Sequence, residues 1–301
     1  MHSDAQARVE AALYVVATPL GNLRDITLRA LDVLAAADAV AAEDTRLTRK
    51  LLAHYELHAP LIAVHEHNEA HVASSLIKRI AEGQAIAYVT DAGTPAISDP
   101  GALLVSRVRD AGLRVIPVPG PSALTATLSA AGVALPHFLF YGFLPANARA
   151  RRKALARLAP LPFGLVFFEA PHRLRDSLED MAEILGPYRW LVVARELTKF
   201  FESIHKGTLG EASAWIDQES NRSKGEFVLV VEGAERDAAE RDDRAERVLA
   251  ILLRELPLSR AVELATEIVD GKRNILYARA LELRKQSEGD AVKDPSKGET
   301  E

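Results

Sequence analysis

The sequence predicts an α/β protein built from two α/β domains with a cleft between them, followed by a small helical module. Three observations carry this prediction. Short apolar runs alternate with amphipathic helical segments up to a proline-rich break at residues 117–121. A second set of strand-like runs follows the break, and the chain beyond residue 246 has helical periodicity only. We therefore predict domains over 12–119 and 120–234, a helical module over 246–285, and flexible tails at 1–11 and 286–301.

The first domain is predicted to contain a mainly parallel sheet. Leu28, Leu31 and Leu34 recur at helical spacing between two apolar runs, and similar repeats separate the later runs. This alternation places helices on the faces of a parallel sheet. The predicted strands are 13–17, 39–42, 61–64, 85–89 and 115–118.

The second domain is predicted to have partly antiparallel strands, because helices separate only some of its apolar runs. The predicted strands are 138–141, 165–168, 190–194, 201–206 and 227–231. Beyond them, three short helical segments with Gly271 before the last resemble a helix-turn-helix module.

Composition narrows the chemistry. The 301 residues include no cysteine, which excludes thiol nucleophiles, disulfides and thiolate metal sites. The formal net charge of −5, from 37 basic and 42 acidic residues, argues against a uniformly basic nucleic-acid binder but allows a local basic patch. No apolar run approaches the roughly 18 residues that span a bilayer, and the N-terminus lacks a signal-peptide pattern, so we expect a cytoplasmic protein without a membrane partner.

The most informative segment is the loop over residues 90–101, which follows the fourth predicted strand. It combines glycines, prolines, small hydroxyl residues and two aspartates. Open parallel sheets bind ligands at the carboxyl ends of their strands, and small residues let a ligand approach the backbone. The turn at residues 18–23 has a similar position, but it lacks the spacing of a dinucleotide-binding or phosphate-binding glycine motif. A tight structural connection is the alternative for both loops.

Several ordered blocks resemble the tetrapyrrole methylase superfamily, the class III S-adenosylmethionine-dependent methyltransferases, and within it the subgroup that acts on small-subunit ribosomal RNA. The resemblance covers roughly residues 13–233. The blocks are 18–27, 42–46, 65–68, 91–101, 169–173, 195–199 and 225–227. Tetrapyrrole-modifying members usually have a glycine-rich first loop and a Gly-Asp-Pro in the second, which this sequence lacks. This departure favours the ribosomal subgroup.

The resemblance implies S-adenosylmethionine as cofactor, folded into the cleft between the two domains, and a homodimer. It implies 2′-O-methylation of a cytidine ribose in 16S ribosomal RNA of the small subunit. The cofactor contacts carried over by motif are Leu20, Asp91, Thr94, Ser122, Ala123, Ala170 and Phe227.

A ribose hydroxyl must lose its proton during such a transfer, and a positioned base accelerates that step. The sequence offers Glu43, His65, His67, Glu169, His172, Glu196 and Lys199 as candidates. Glu196, Lys199 and Glu169 are selected because they lie at strand ends near the expected cleft. A plain salt bridge explains Glu196 and Lys199 almost as well.

Basic residues supply the predicted RNA contacts. Residues 147–157 contain five cations and no acid, directly after a strand end at the cleft, although a solvated helix face is the alternative. His65 and His67 share one strand face, and without a clear third ligand we predict substrate contact and no metal site. The RNA-binding candidates are Arg149, Arg151, Arg152, Lys153, His65, His67, Lys272 and Arg273.

Two other functions remain open at this point. The same scaffold could methylate a tetrapyrrole or a protein side chain, although neither substrate needs the basic run or the C-terminal helices. A non-catalytic ribosome-assembly factor could also retain the fold, but the intact cofactor loops argue against that.

Overall fold

The computed structural model describes residues 9–65, 68–219, 222–234, 238–269, 273, 276–281 and 283–284. It divides the chain into two compact units, residues 1–234 and 235–301. The first unit contains two five-stranded sheets with helices on their faces. The α/β class and the partly antiparallel second sheet are confirmed. The exact domain boundaries stay predictions.

The first sheet is parallel throughout and has the order β3-β2-β4-β1-β5. Its three central strands are almost entirely buried because both of their faces are covered, which explains their continuous apolar runs, whereas the two edge strands are only partly buried. The strands are β1 (Ala12–Val16), β2 (Ala39–Ala42), β3 (Leu61–Ala63), β4 (Ala85–Val89) and β5 (Val115–Val118). The covering helices are α1 (Leu28–Ala36), α2 (Thr45–His54), α3 (Glu69–Ala81) and α4 (Ala102–Asp110).

The second sheet has the order β6-β7-β10-β8-β9, with only β6 and β7 parallel. Its strands are β6 (Phe138–Phe143), β7 (Gly164–Glu169), β8 (Trp190–Arg195), β9 (Ser203–Thr208) and β10 (Phe227–Val231). Its helices are α5 (Ala123–Ala130), α6 (Ala148–Leu158), α7 (Leu174–Leu185) and α8 (Ala212–Asp217). Helix α5 contributes to the core on one face, and α6 and α7 pack together on the other. The edge strand β9 begins two residues later than predicted.

The second unit is helical. Helices α9 (Ala238–Glu255) and α10 (Leu258–Ile268), together with a helical stretch over 276–281, enclose a small core around Leu249, Val262 and Leu276. Pro257 separates the two helices. However, α9 begins before the predicted start of the module at residue 246, because charged residues without apolar anchors continue the helix. The predicted tails at 1–8 and 286–301 lie outside the described residues.

Within the described part of the chain, no helix is long and apolar enough to span a membrane. The same residues contain no group of three or more His, Asp or Glu side chains arranged to hold a metal ion.

Candidate active site

A cavity of about 380 Å³ lies between the two sheets of the first unit. Its volume falls within the roughly 300–1,000 Å³ of small-molecule sites. We call its two sides the first-sheet wall and the second-sheet wall. The first-sheet wall consists of residues that follow β1, β2, β4 and β5, including Leu20, Glu43, Asp91, Thr94, Asp99 and Ser122. The second-sheet wall comes from β6, β7, β8 and β10 and the turn after β7, including Phe143, Phe168, Ala170, Ala194, Phe227 and Val228.

The structure brings together every residue predicted to contact the cofactor. Five line the first-sheet wall and two line the second-sheet wall. They are Leu20, Asp91, Thr94, Ser122 and Ala123, and Ala170 and Phe227. The side chain of Ser122, which precedes α5, makes no capping hydrogen bond to that helix and lies at the cavity. Their role as cofactor contacts stays a prediction.

Backbone hydrogen bonds connect the loops of the first-sheet wall. Thr18 and Gly93 exchange two bonds, of 2.9 Å from Thr18 N and 3.0 Å from Gly93 N. The Thr94 hydroxyl donates to the Pro121 carbonyl at 3.0 Å, which ties the loop over 90–101 to the segment before α5. The Thr18 hydroxyl donates to the Thr90 carbonyl at 3.1 Å. Three strand ends therefore form one connected surface.

The loop over 90–101 has an unusual backbone. Gly93, Ala96, Ser98 and Gly101 all have positive φ angles, of 79°, 65°, 63° and 119°. A side chain on Gly101 would overlap the ring of the fully buried Tyr88. Non-glycine residues in this conformation cost of order 1–3 kcal/mol each, and such positions cluster at ligand sites. The loop therefore keeps its shape although the backbone is strained at Ala96 and Ser98.

The first-sheet wall carries three neighbouring carboxyl groups. Burial raises the pKa of Asp99 to about 6, and the charges of Glu43 and Asp91 add to the shift. Burial followed by the Asp91 charge raises the pKa of Glu43, and burial also raises the pKa of Asp91. Asp91 Oδ1 accepts a hydrogen bond of 3.0 Å from the Asp44 backbone N–H. A cavity with this acidic side suits a ligand that carries positive charge.

The second-sheet wall is largely apolar, and Glu169 anchors it from behind. This carboxylate is buried and accepts hydrogen bonds from Ala170 N at 2.9 Å and Ser177 Oγ at 2.5 Å. Its Oε1 also lies 3.3 Å from Arg173 Nε. These contacts hold the turn that presents Ala170 to the cavity. The geometry therefore gives Glu169 a positioning role and lends no support to the predicted role as proton acceptor.

Glu196 and Lys199 form a closed ion pair. Lys199 Nζ lies 2.9 Å from Glu196 Oε1 and 3.0 Å from Glu226 Oε2. Burial acts to raise the pKa of Glu196, but the hydrogen bonds from Lys199 and from the Glu226 backbone N–H outweigh it, and the pKa is lowered. Burial acts to lower the pKa of Lys199, and the two carboxylates reverse that effect and raise it. Glu196 is therefore ionised but a weaker base than a free carboxylate, and Lys199 stays protonated, which supports the salt-bridge alternative.

The basic run forms α6, and its cations divide into two sets. Arg151 is buried, and its Nε donates to Asp180 at 2.6 Å. Arg152 bonds to Asp180 at 2.8 Å and to Glu183 on α7. Arg149 and Lys153 are exposed. The guanidinium of Arg151 thus holds α6 to α7, which gives no support to an RNA contact, and its predicted role stays a prediction.

Of the remaining RNA candidates, His65 belongs to the first unit and is absent from the lining of the cavity. The backbone N–H of His65 donates to Asn68 Oδ1 at 2.8 Å, where the chain turns toward α3. Arg273 is exposed in the second unit. His67 and Lys272 lie outside the described residues.

Several residues of the cavity lining were not selected from the sequence, among them Asp99 and Phe143. Asp99 is the second aspartate of the loop over 90–101, in which the motifs gave a role only to Asp91. Phe143 lies near the strand end that the sequence placed at the cleft, just before the basic run, and its side chain was given no role. Both line the cavity.

Comparison with known proteins identifies the scaffold. The model of the family described as tetrapyrrole (corrin/porphyrin) methylases matches residues 12–213, and one described as the RsmI C-terminal HTH domain matches residues 238–284. A solved uroporphyrin-III C-methyltransferase from Thermus thermophilus aligns with a TM-score of 0.54 and 25% identity, over 74% of this chain and 94% of that one. A cobalt precorrin-4 methyltransferase aligns with a TM-score of 0.57 and 18% identity, over 73% and 94%, which supports the fold alone.

Curated relatives are much more similar in sequence. The ribosomal RNA small subunit methyltransferase I of Escherichia coli O157:H7 is 51% identical over 273 residues, which is 91% of this chain and 96% of that protein. The protein of the same name from Pseudomonas aeruginosa is 48% identical over 277 residues, covering 91% and 98%. Since the family model covers well over half of the chain and these relatives align almost end to end, the chain belongs to the tetrapyrrole methylase family.

Proposed function

We propose that this chain is an S-adenosylmethionine-dependent methyltransferase that modifies the 2′-hydroxyl of a cytidine in 16S ribosomal RNA of the small subunit. The observation that carries the proposal is the single cavity lined by all seven motif-derived cofactor contacts. The choice of acceptor is supported by relatives of about half identical sequence that are named for small-subunit ribosomal RNA.

The residues around the cavity fit this methyl donor. The donor has a sulfonium, an amino-acid end and a ribose, all polar or charged, and a flat apolar adenine. The carboxylate of Asp91 can accept hydrogen bonds from a hydroxyl or an ammonium, and Ser122 adds a hydroxyl. Ala170 and Phe227 offer an apolar slot for the ring. When bound, S-adenosylmethionine supplies a methyl group activated by the positive sulfur.

The chain itself contributes positioning and a proton acceptor. Holding two reactants in line provides much of the rate enhancement in a displacement of this kind. A carboxylate of the first-sheet wall takes the hydroxyl proton in our proposal, and Asp99 is the best suited. Its pKa of about 6 leaves it ionised at neutral pH, yet basic enough to share a proton. Glu196 and Lys199, bound to one another, instead brace the loop after β8.

The partner assignments belong to the same proposal. Arg149 and Lys153 on α6 are the exposed cations closest in sequence to the cavity strand β6, and they would bind phosphates of the RNA. We also assign the helical second unit, with Arg273, to RNA docking, and we propose a homodimer that works where ribosomes are assembled, in the cytoplasm. Sedimentation of the purified chain checks the dimer.

The decisive experiment measures transfer of an isotopically labelled methyl group from S-adenosylmethionine to small subunits isolated from cells lacking this protein. Mass spectrometry of the nucleosides should find 2′-O-methylcytidine. Label found in a tetrapyrrole or a protein instead would support the rival methylase. Donor binding by calorimetry without any transfer would support an assembly factor. Absence of donor binding would contradict both methyltransferase hypotheses.

A further inference from the structure

The strand β6 contains an irregularity at the edge of the cavity. Phe140 pairs with Val166 on β7, and the next paired residue is Gly142, opposite Phe167, so that Tyr141 is an extra residue. Such a bulge reverses the side-chain alternation of everything that follows it. Phe143 consequently pairs with Phe168.

This reversal decides which face Phe143 occupies. In an unbroken ladder, Phe143 would fall on the same face as Leu139 and Phe167, which belong to the core beneath α6 and α7. With the bulge, Phe143 shares the face of Phe140 and Phe168, the face that meets the cavity. Bulges next to active sites commonly re-aim one side chain in this way.

Gly142 makes the arrangement possible. Its φ of +79° is left-handed, and an added Cβ would lie 2.5 Å from Ser98 Oγ. The second sheet therefore approaches the loop over 90–101 at this glycine. The following residue, Phe143, is brought to the mouth of the cavity, where Ile97 of that loop is also exposed.

The Phe143 ring contacts a neighbouring ring and yet is about half exposed to solvent. Its ring lies 5.7 Å from the Phe168 ring between centroids, at an interplanar angle of 68°. Even so, 49% of the residue is exposed, whereas Phe227 on the same wall is only 3% exposed. Leaving a large apolar ring in water is unfavourable, and nothing else among the described residues covers it.

We infer that Phe143 forms the stacking surface for the unpaired base of the acceptor nucleotide. This inference rests on the proposed function. Proteins that recognise single-stranded RNA stack splayed bases on aromatic side chains and hold the backbone with nearby cations. The exposed Arg149 and Lys153 of α6 follow Phe143 closely in the chain and supply that charge.

The test compares Phe143→Leu and Phe143→Tyr with a matched control, Phe138→Leu. Phe138 lies at the start of the same strand, is 45% exposed and does not line the cavity. We measure KM for unmodified small subunits, kcat, and the donor Kd by calorimetry. F143L should raise the KM about tenfold, within the range of base–aromatic stacking, and leave the donor Kd within about twofold. F143Y keeps an aromatic ring and should restore most of the affinity that F143L loses, while F138L should behave as the unsubstituted protein.

Three outcomes would overturn the inference. An unchanged KM in F143L means that no base stacks there. A parallel loss of donor affinity assigns Phe143 to the donor site. A change in sedimentation means that the ring is covered by a second copy of the chain. Because the unsubstituted protein is assayed alongside, loss of stacking is distinguished from failure of the proposed function, in which even that protein transfers no methyl group to the subunit.

Discussion

The two walls of the cavity are built in different ways. The first-sheet wall is made of loops whose shape depends on backbone hydrogen bonds and left-handed residues, and it carries the carboxyl groups. The second-sheet wall is made mainly of side chains that project from strands, and it is apolar apart from Glu169 and Glu226. The polar groups that can recognise a ligand thus lie on the strained loops of the first-sheet wall. The strands of the second-sheet wall give the cavity its apolar surface and its shape.

The largest effect is expected for Gly101→Ala. The new methyl group would overlap Tyr88 and force an alanine into a left-handed conformation, so the free energy of unfolding should fall by about 3 kcal/mol. Gly112→Ala is the matched control, because Gly112 has a φ of +72° but open space around it, and it should cost about 1 kcal/mol. Urea denaturation measures both. Equal losses would mean that close packing does not define the loop.

Asp91→Ala should weaken donor binding by about tenfold or more, since a hydrogen bond to a charged group contributes roughly 1.5–3 kcal/mol. Calorimetry with S-adenosylmethionine measures the change. Asp110→Ala, an exposed acid at the end of α4, serves as the control and should bind normally. An unaltered affinity in D91A would remove this residue from the site.

Asp99→Asn tests the carboxyl groups of the first-sheet wall through the pH dependence of the melting temperature. The pKa of Asp99 is raised from its ordinary 3.8 to about 6, so the folded state favours the protonated form. That stabilisation is complete below pH 4 and is lost as the pH rises through about 6. At pH 8 the D99N protein should therefore melt a few degrees higher than the unsubstituted protein, and at pH 4 the difference should vanish.

The same substitution separates stability from chemistry. If Asp99 accepts the proton, the transfer rate of the unsubstituted protein should rise between pH 5 and 7, and D99N should be slowed about a hundredfold or more. A fast D99N enzyme with the same pH profile would direct attention to Glu43.

The smallest effect is expected outside both walls. Replacing Arg149 and Lys153 with glutamine should reduce the salt dependence of RNA binding by about 1.5 in the log–log slope, with little change in stability. The same exchange at Lys78 and Arg109, on the helices of the first sheet, should leave the slope unchanged. A similar reduction of the slope for both pairs would indicate that any positive surface charge attracts the RNA equally.

The strands of the first sheet were predictable nearly to the residue. Both faces of β1, β2 and β4 are buried, so each of these strands is a short continuous apolar run between helical repeats. The edge strands β3 and β5 are only partly buried, but their sequences are also apolar. Strand β9 was displaced by two residues because an edge strand with a half-exposed pattern carries a weaker signal. The bulge at Tyr141 depends on a contact between Gly142 and a distant loop, which the local sequence does not encode.

The site was predictable in part for the same reason. The motifs identified the cavity lining, because small residues at strand ends are a local feature. The burial of Arg151 was not predicted, because its charge was counted without regard to its position around the helix. Arg151, Leu155 and Leu158 share the buried face of α6. The ion pair between Lys199 and Glu226 could not be predicted, because Glu226 is distant in sequence and only the fold brings the two side chains together.

The paired bonds between Thr18 and Gly93 make the two loops of the first-sheet wall a single opening unit. Neither loop can leave the cavity without exposing both amides to solvent, so their protons should exchange at one common rate. A donor held between the loops would slow both exchanges by the same factor, in proportion to its occupancy. The exchange rates of these two amides therefore report donor binding without RNA and without turnover.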